Sequence, residues 1–322
     1  MLPVEGLSFL MIALVAIARP AGEQPSFVDH ITGTSRVSQM AQTLDGRIFA
    51  PAMDDNVVNV YTEAGAFVAR FGSAGAQPGQ FAGPTGVAID PDGYIFVVDQ
   101  FNHRVQEFSP TFLPVRVIGS QGSGPGELLN PANCALSPDG STLYITELGN
   151  HRVSMFSADG EFIGSFGSEG SRAGQLSHPF GIVVEPRTGD LFVANQLNSR
   201  IDRFAAEGRY LSSIGRRGTG VGEFHYVVGL ALDRRGDLWA TDQLNNRVKK
   251  ITAGGRVLAC WGSLGPEDHQ FYNPWSIFVT RAGNVWIGDT YNYRIEIYRY
   301  GVEDRTTVRP PPARPSIKSL YR

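Results

Sequence analysis

The stretch GPTGVAIDPDGYIFVVDQFNHRVQEF, residues 83–108, decides how the chain folds. Its apolar runs GVAI and YIFVV are too short for globular helices and carry no 3.6-residue periodicity, so they read as strands. Between them stands Asp90-Pro91-Asp92-Gly93. Pro fixes φ and Gly accepts positive φ, which suits a tight hairpin. After the second run comes Asp99, then the tripeptide Asn102-His103-Arg104, then a third strand-like run, RVQEF.

The tripeptide supplies a register for the whole chain. Asn-x-Arg followed by Val or Ile recurs at Asn150-His151-Arg152, Asn198-Ser199-Arg200, Asn245-Asn246-Arg247 and Asn292-Tyr293-Arg294. Successive arginines are 48, 48, 47 and 47 residues apart. Forty-seven residues before Arg104 stands Val57, inside a copy that keeps the strand pattern and loses the Asn and Arg. The chain therefore holds six copies, the first degenerate. A fourth strand, such as PVRVIG or YLSSIG, completes each copy. Four short antiparallel strands per repeat, six times over, predict an all-β six-bladed β-propeller spanning residues 26–301. The last copy supplies only three strands. Residues 26–33, SFVDHITG, resemble the outer strand of the other copies and are expected to pair with residues 293–300, so that an N-terminal strand closes the ring and removes free edges.

These elements resemble the NHL-repeat family: G-x-x-G-x-x-x-G-E/Q-F/L in GSAGAQPGQF, P-x-G-V/I in GPTGVAIDPDG and D-x-x-N-x-R in DQFNHRVQEF. The resemblance covers about residues 26–301. It departs in the first copy, at Val227 where other copies have Pro, and at Asp268-His269 where others have Gly. It implies a six-bladed propeller and no single activity, because a propeller is a scaffold for grafted sites.

The repeated polar residues read as structure. Asp99, Asn102 and Arg104, with their counterparts Glu147, Asn150, Arg152, Asn195, Asn198, Arg200, Asp242, Asn245, Arg247, Asp289, Asn292 and Arg294, suit a tight loop in which an arginine fork satisfies a carboxylate and nearby carbonyls. Function is expected where the copies differ. At the entrance to the inner strands stand Thr85, His178, Phe180, His225, Tyr226, Tyr272 and Trp275, an irregular aromatic and imidazole collar suited to a protein or peptide at the channel mouth, with Asn133 facing inward. The alternative for each aromatic is simple packing between blades.

Two other classes remain open. Amidating lyases of the same superfamily use channel histidines to bind zinc, at the position after the proline that opens the inner strand. That position here holds Thr85, Ala132, Phe180, Val228 and Trp275. A lactonase-like calcium site would draw on inward carboxylates, and only Asn133, with Asp90, Glu185 and Asp233 near strand ends, comes close. No catalytic residue, metal site or cofactor is assigned, which leaves a metal-dependent lyase or hydrolase as the competing class. RNA binding, known for NHL propellers joined to RING and B-box modules, is the third. Residues 305–322 hold five basic and no acidic side chains, so the body is more acidic than the net charge of −3 suggests, and a nucleic-acid partner is not expected.

Cys134 and Cys260 fall in different copies and on different strand types, so no disulfide is expected. Residues 1–22 contain an apolar run, Leu7 to Ala18, and an Ala16-Ile17-Ala18 cleavage-like triplet, yet no preceding Lys or Arg. They read as a signal peptide or an uncleaved anchor. Export follows in the first case, membrane contact in the second, and a cytoplasmic location if residues 1–18 are no signal at all. Residues 302–322 read as a basic, proline-rich tail, and the propeller is expected to be a monomer.

Overall fold

A computed structural model describes residues 25–300; the candidate leader 1–22 and the tail 302–322 lie outside the described residues. Twenty-four strands form six four-stranded antiparallel sheets. Blade 2 is typical: Pro84–Ile89 innermost, then Ile95–Asp99, Arg104–Phe108 and Pro114–Ile118. Five blades run in simple sequence order. The sixth takes Pro274–Val279, Asn284–Asp289 and Arg294–Arg299 from one end of the chain and Ser26–Thr32 from the other. Ser26 pairs with Arg299 and Thr32 with Arg294, with one irregularity between Phe27 and Asp29.

The apolar core is divided among the blade interfaces, since each sheet is covered on both faces by its neighbours. Ala88, Phe96 and Val98 of blade 2 pack on Cys134, Leu143 and Ile145 of blade 3. Equivalent clusters join each successive pair. The last of them sets Val37, Met40 and Tyr61 of blade 1 against Trp286, Ile295 and Ile297 of blade 6. Burial on both faces explains why inner strands read as nearly continuous apolar runs. The glycine of P-x-G-V has a related cause. A Cβ on Gly229 would lie 2.8 Å from the Trp275 carbonyl oxygen of the next blade, so glycine permits neighbouring inner strands to converge on the axis.

Blade 1 shows what the degenerate copy costs. Its inner strand is reduced to Ala41–Gln42, preceded by an isolated bridge between Val37 and Ala52. Where other copies hold the polar loop motif, this one uses an ion pair, Arg36 Nε to Asp54 Oδ1 at 2.9 Å. Both cysteines are free thiols, Cys134 buried and Cys260 half-buried.

The strand directions give the ring two distinct ends. Inner strands begin beside the Asn-x-Arg loops and blade crossovers, here the loop face. They end at the inner hairpins, here the turn face.

Candidate functional site: the loop face

The motif residues form one lock per blade. Buried Asp99 accepts hydrogen bonds from the Ala82 N–H (2.6 Å), Asn102 Nδ2 (2.8 Å) and Arg104 Nε (2.7 Å). Arg104 Nη2 then donates to the carbonyls of Gln77 and Gln80, both at 3.0 Å, and so ties the crossover to the loop. Glu147, Asp242 and Asp289 repeat the arrangement with Arg152, Arg247 and Arg294. Burial pushes the Asp99 and Asp289 carboxyls upward, and the donors around them pull the other way. Blade 4 differs. Asn195 stands in the carboxylate's place, and Asp202, seven residues on, supplies the charge to Arg200 Nε at 2.8 Å. Asn195 Nδ2 donates to Asp202 Oδ2 at 2.6 Å, while Asn198 Nδ2 donates to Asn195 Oδ1 at 2.9 Å.

The middle residue of Asn-x-Arg has a role that sequence reasoning missed. Asn56, His103, His151, Ser199, Asn246 and Tyr293 all sit at positive φ, between 51° and 56°. Five of them accept a backbone N–H from the next blade, among them Ser199, whose Oγ accepts from Tyr226 at 3.5 Å. Gly83 donates to Asn56 Oδ1 (2.9 Å), Asn130 to His103 Nδ1 (3.0 Å), His178 to His151 Nδ1 (3.1 Å) and Asn273 to Asn246 Oδ1 (2.9 Å). Asn and His tolerate the left-handed region and carry a short acceptor, which was the available signal.

The residues expected to form a collar separate into small groups. Phe180 is 5% exposed and packs with Ala132, Val228 and Trp275. Its ring lies 5.6 Å from that of Trp275, and the Arg36 guanidinium lies over the indole ring. Side chains of blades 1, 3, 4, 5 and 6 thus fill the axis at this end. Thr85 is fully buried, its hydroxyl unpartnered, and Asn133 Oδ1 accepts from the Cys134 N–H at 2.7 Å. His178 packs on His151 (4.8 Å), His225 on Tyr226 (5.3 Å) and Tyr272 on Tyr291 (5.0 Å). Burial, helped by His151, lowers the His178 pKa. Asp90, Glu185 and Asp233 cap the backbone N–H groups of their own hairpins. Among the described residues no three His, Cys, Asp or Glu side chains converge as a metal site.

What the loop face does present is an apolar annulus at a repeated position. The second variable residue of D-x-x-N-x-R is Phe101, Leu197, Leu244 or Tyr291, exposed by 56%, 39%, 41% and 49%. Each is held by its backbone N–H, bonded to the crossover carbonyl of Ala82, Ser177, His225 or Tyr272 at 3.0–3.2 Å. The side chains therefore project from fixed loops. Gly149 and Asp54 interrupt the annulus in blades 3 and 1, and exposed Tyr272 and Tyr293 widen it beside Tyr291.

Fold and loop locks together define a six-bladed β-propeller built from one repeated supersecondary unit. A family model described as NHL repeat matches residues 81–108, within one of the six blades of this propeller. It is 44% identical over 50 residues to the E3 ubiquitin-protein ligase TRIM71 of Rattus norvegicus; the match covers 16% of this chain and 6% of that protein. The counterpart in Gallus gallus is 48% identical over 40 residues, 12% of this chain and 5% of that protein. Among solved structures, a streptogramin B lyase superposes with a TM-score of 0.60 at 14% identity, covering 86% of this chain and 96% of that one. At this identity the likeness is one of fold.

Proposed function

We propose that this propeller is a protein- or peptide-binding platform acting through its loop face. One observation carries the reading: four rigid, exposed apolar side chains, Phe101, Leu197, Leu244 and Tyr291, at one repeated position around that face. Exposed apolar clusters with aromatic members on pinned loops are the usual makings of an interface core. The arginines of this face favour a protein over a nucleic acid, since five of them are spent on carboxylates of their own blades. The relatives matched over one repeat are named as ubiquitin-protein ligases, enzymes that act on proteins, which supports the same choice.

The test is selection of peptides from a displayed random library on the full chain, followed by affinity measurement against the triple variant Phe101→Ser, Leu244→Ser, Tyr291→Ser. The expected result is apolar-rich peptides that bind the parent protein and lose at least tenfold in affinity on the variant, with an unchanged melting temperature. Equal affinity for the two proteins would move the site elsewhere.

A further inference from the structure

The turn face holds a second feature, independent of the loop face. Below the Phe180–Trp275 plug the axis opens into a cavity of about 330 Å³. All six blades line it, through residues such as Ala41, Val87, Ala135, Val183, Leu230 and Phe278. Because the plug closes the other end, the cavity is a blind apolar cup, within the size range of small-molecule sites.

Its rim is not neutral. Arg281, on the hairpin of blade 6, lines the cup. Burial, and then repulsion from Arg234 of blade 5, destabilise the charge on its guanidinium, and Glu63 of blade 1 supports it. The Glu63 carboxylate also accepts the Ala282 N–H at 3.2 Å. On blade 4, Arg187 lies against Gly236 while paired with Glu185. Among the described residues, Arg281 is the one charged residue that lines the cavity. Gln39 also lines the cavity, and its side-chain oxygen is buried without a hydrogen-bond partner.

We infer that the cup is a binding site for a small amphipathic carboxylate, its apolar body held by the inner strands and its acid group at Arg281. An apolar body removes the cavity wall from water. An anion beside the Arg281 guanidinium relieves its repulsion with Arg234 and gains charge-assisted hydrogen bonds. An uncharged molecule of the same length would gain only the first.

The experiment is titration calorimetry of the full chain with octanoate and with octan-1-ol, repeated on Arg281→Glu and Val183→Trp. Arg281 is exposed and Val183 half-buried at the cup wall, so neither change should disturb the blades, and a thermal scan verifies that. The expected result is saturable 1:1 binding of octanoate at least tenfold tighter than of octanol. Arg281→Glu should remove that preference, and Val183→Trp should remove binding of both. No saturable binding to the parent protein, or octanoate binding unchanged in both variants, overturns the inference. Because every variant leaves Phe101, Leu244 and Tyr291 intact, failure here says nothing against the loop face.

Discussion

Phe180 of blade 4 and Trp275 of blade 6 meet across the propeller axis, their ring centroids 5.6 Å apart. Blades 4 and 6 are not neighbours, so the contact spans the channel rather than a blade interface. It separates the loop face, with its apolar annulus, from the cup that opens on the turn face. Two aromatic residues at a position that varies between copies thus pack within the channel between the two faces.

Truncating that contact tests its structural weight. Phe180→Ala is expected to destabilise the propeller by about 3–5 kcal/mol, because a buried ring is lost and the axis cannot collapse to fill the gap. Trp275→Ala, removing a ring only partly buried, should cost less. Denaturant unfolding of both variants measures the order. A Phe180→Ala protein as stable as its parent would mean that the rings are not packed as described.

The polar locks predict a different dependence on side-chain shape. Arg104→Ala leaves Asp99 buried without its cation, an expected loss of about 3–5 kcal/mol. Arg104→Lys should recover only part of it, because a single ammonium cannot reach Asp99 and the Gln77 and Gln80 carbonyls together. Urea midpoints of the two variants check this. Full recovery by lysine would reduce the fork to a simple ion pair.

The sequence disclosed the parts of this molecule that repeat, and only those. Spacing between arginines located the blades, and the residue types of D-x-x-N-x-R announced a carboxylate-centred lock. The substitution of Asp202 for the missing carboxylate at Asn195 was invisible, because the replacement sits seven residues away on the facing strand. The collar residues were legible as irregular, yet their packing was not, since contact between Phe180 and Trp275 depends on how close the ring brings blades 4 and 6. The exposed annulus was hidden for another reason. Phe101, Leu197, Leu244 and Tyr291 occupy a variable position inside the polar motif, where an apolar residue type alone does not tell an exposed side chain from a packed one.

Ser26–Thr32 contributes the outer strand of blade 6, with Phe27 against Tyr298 and Ile31 opposite Ile295. We expect removal of residues 26–33 to lower the melting temperature by more than 10 °C, or roughly the effect of several kcal/mol in a chain of this size, since it exposes the edge of Arg294–Arg299. A circular-dichroism melt is sufficient, and an unchanged midpoint would show that the strand is dispensable for the ring.

Glu296 offers a test by pH. It lies fully buried on Arg294–Arg299, accepts from the Tyr298 hydroxyl and pairs with Arg294. Burial raises its pKa from 4.5 to about 7, against the lowering effects of Tyr298 and Arg294. A folded-state pKa above the unfolded one means that the native protein binds more protons through that interval, so stability falls as pH rises. The contribution is complete below about pH 4.5 and lost as pH passes about 7. One group changes stability by at most about 1.4 kcal/mol per pH unit. Glu296→Gln keeps the shape, removes the titration and leaves Asp289 as the partner of Arg294. Its melting temperature should therefore depend less on pH than that of the parent between pH 5 and pH 7.5, with the variant gaining relative stability toward the upper end. Parallel curves for the two proteins would place the proton uptake on another group, because a glutamine cannot reproduce it.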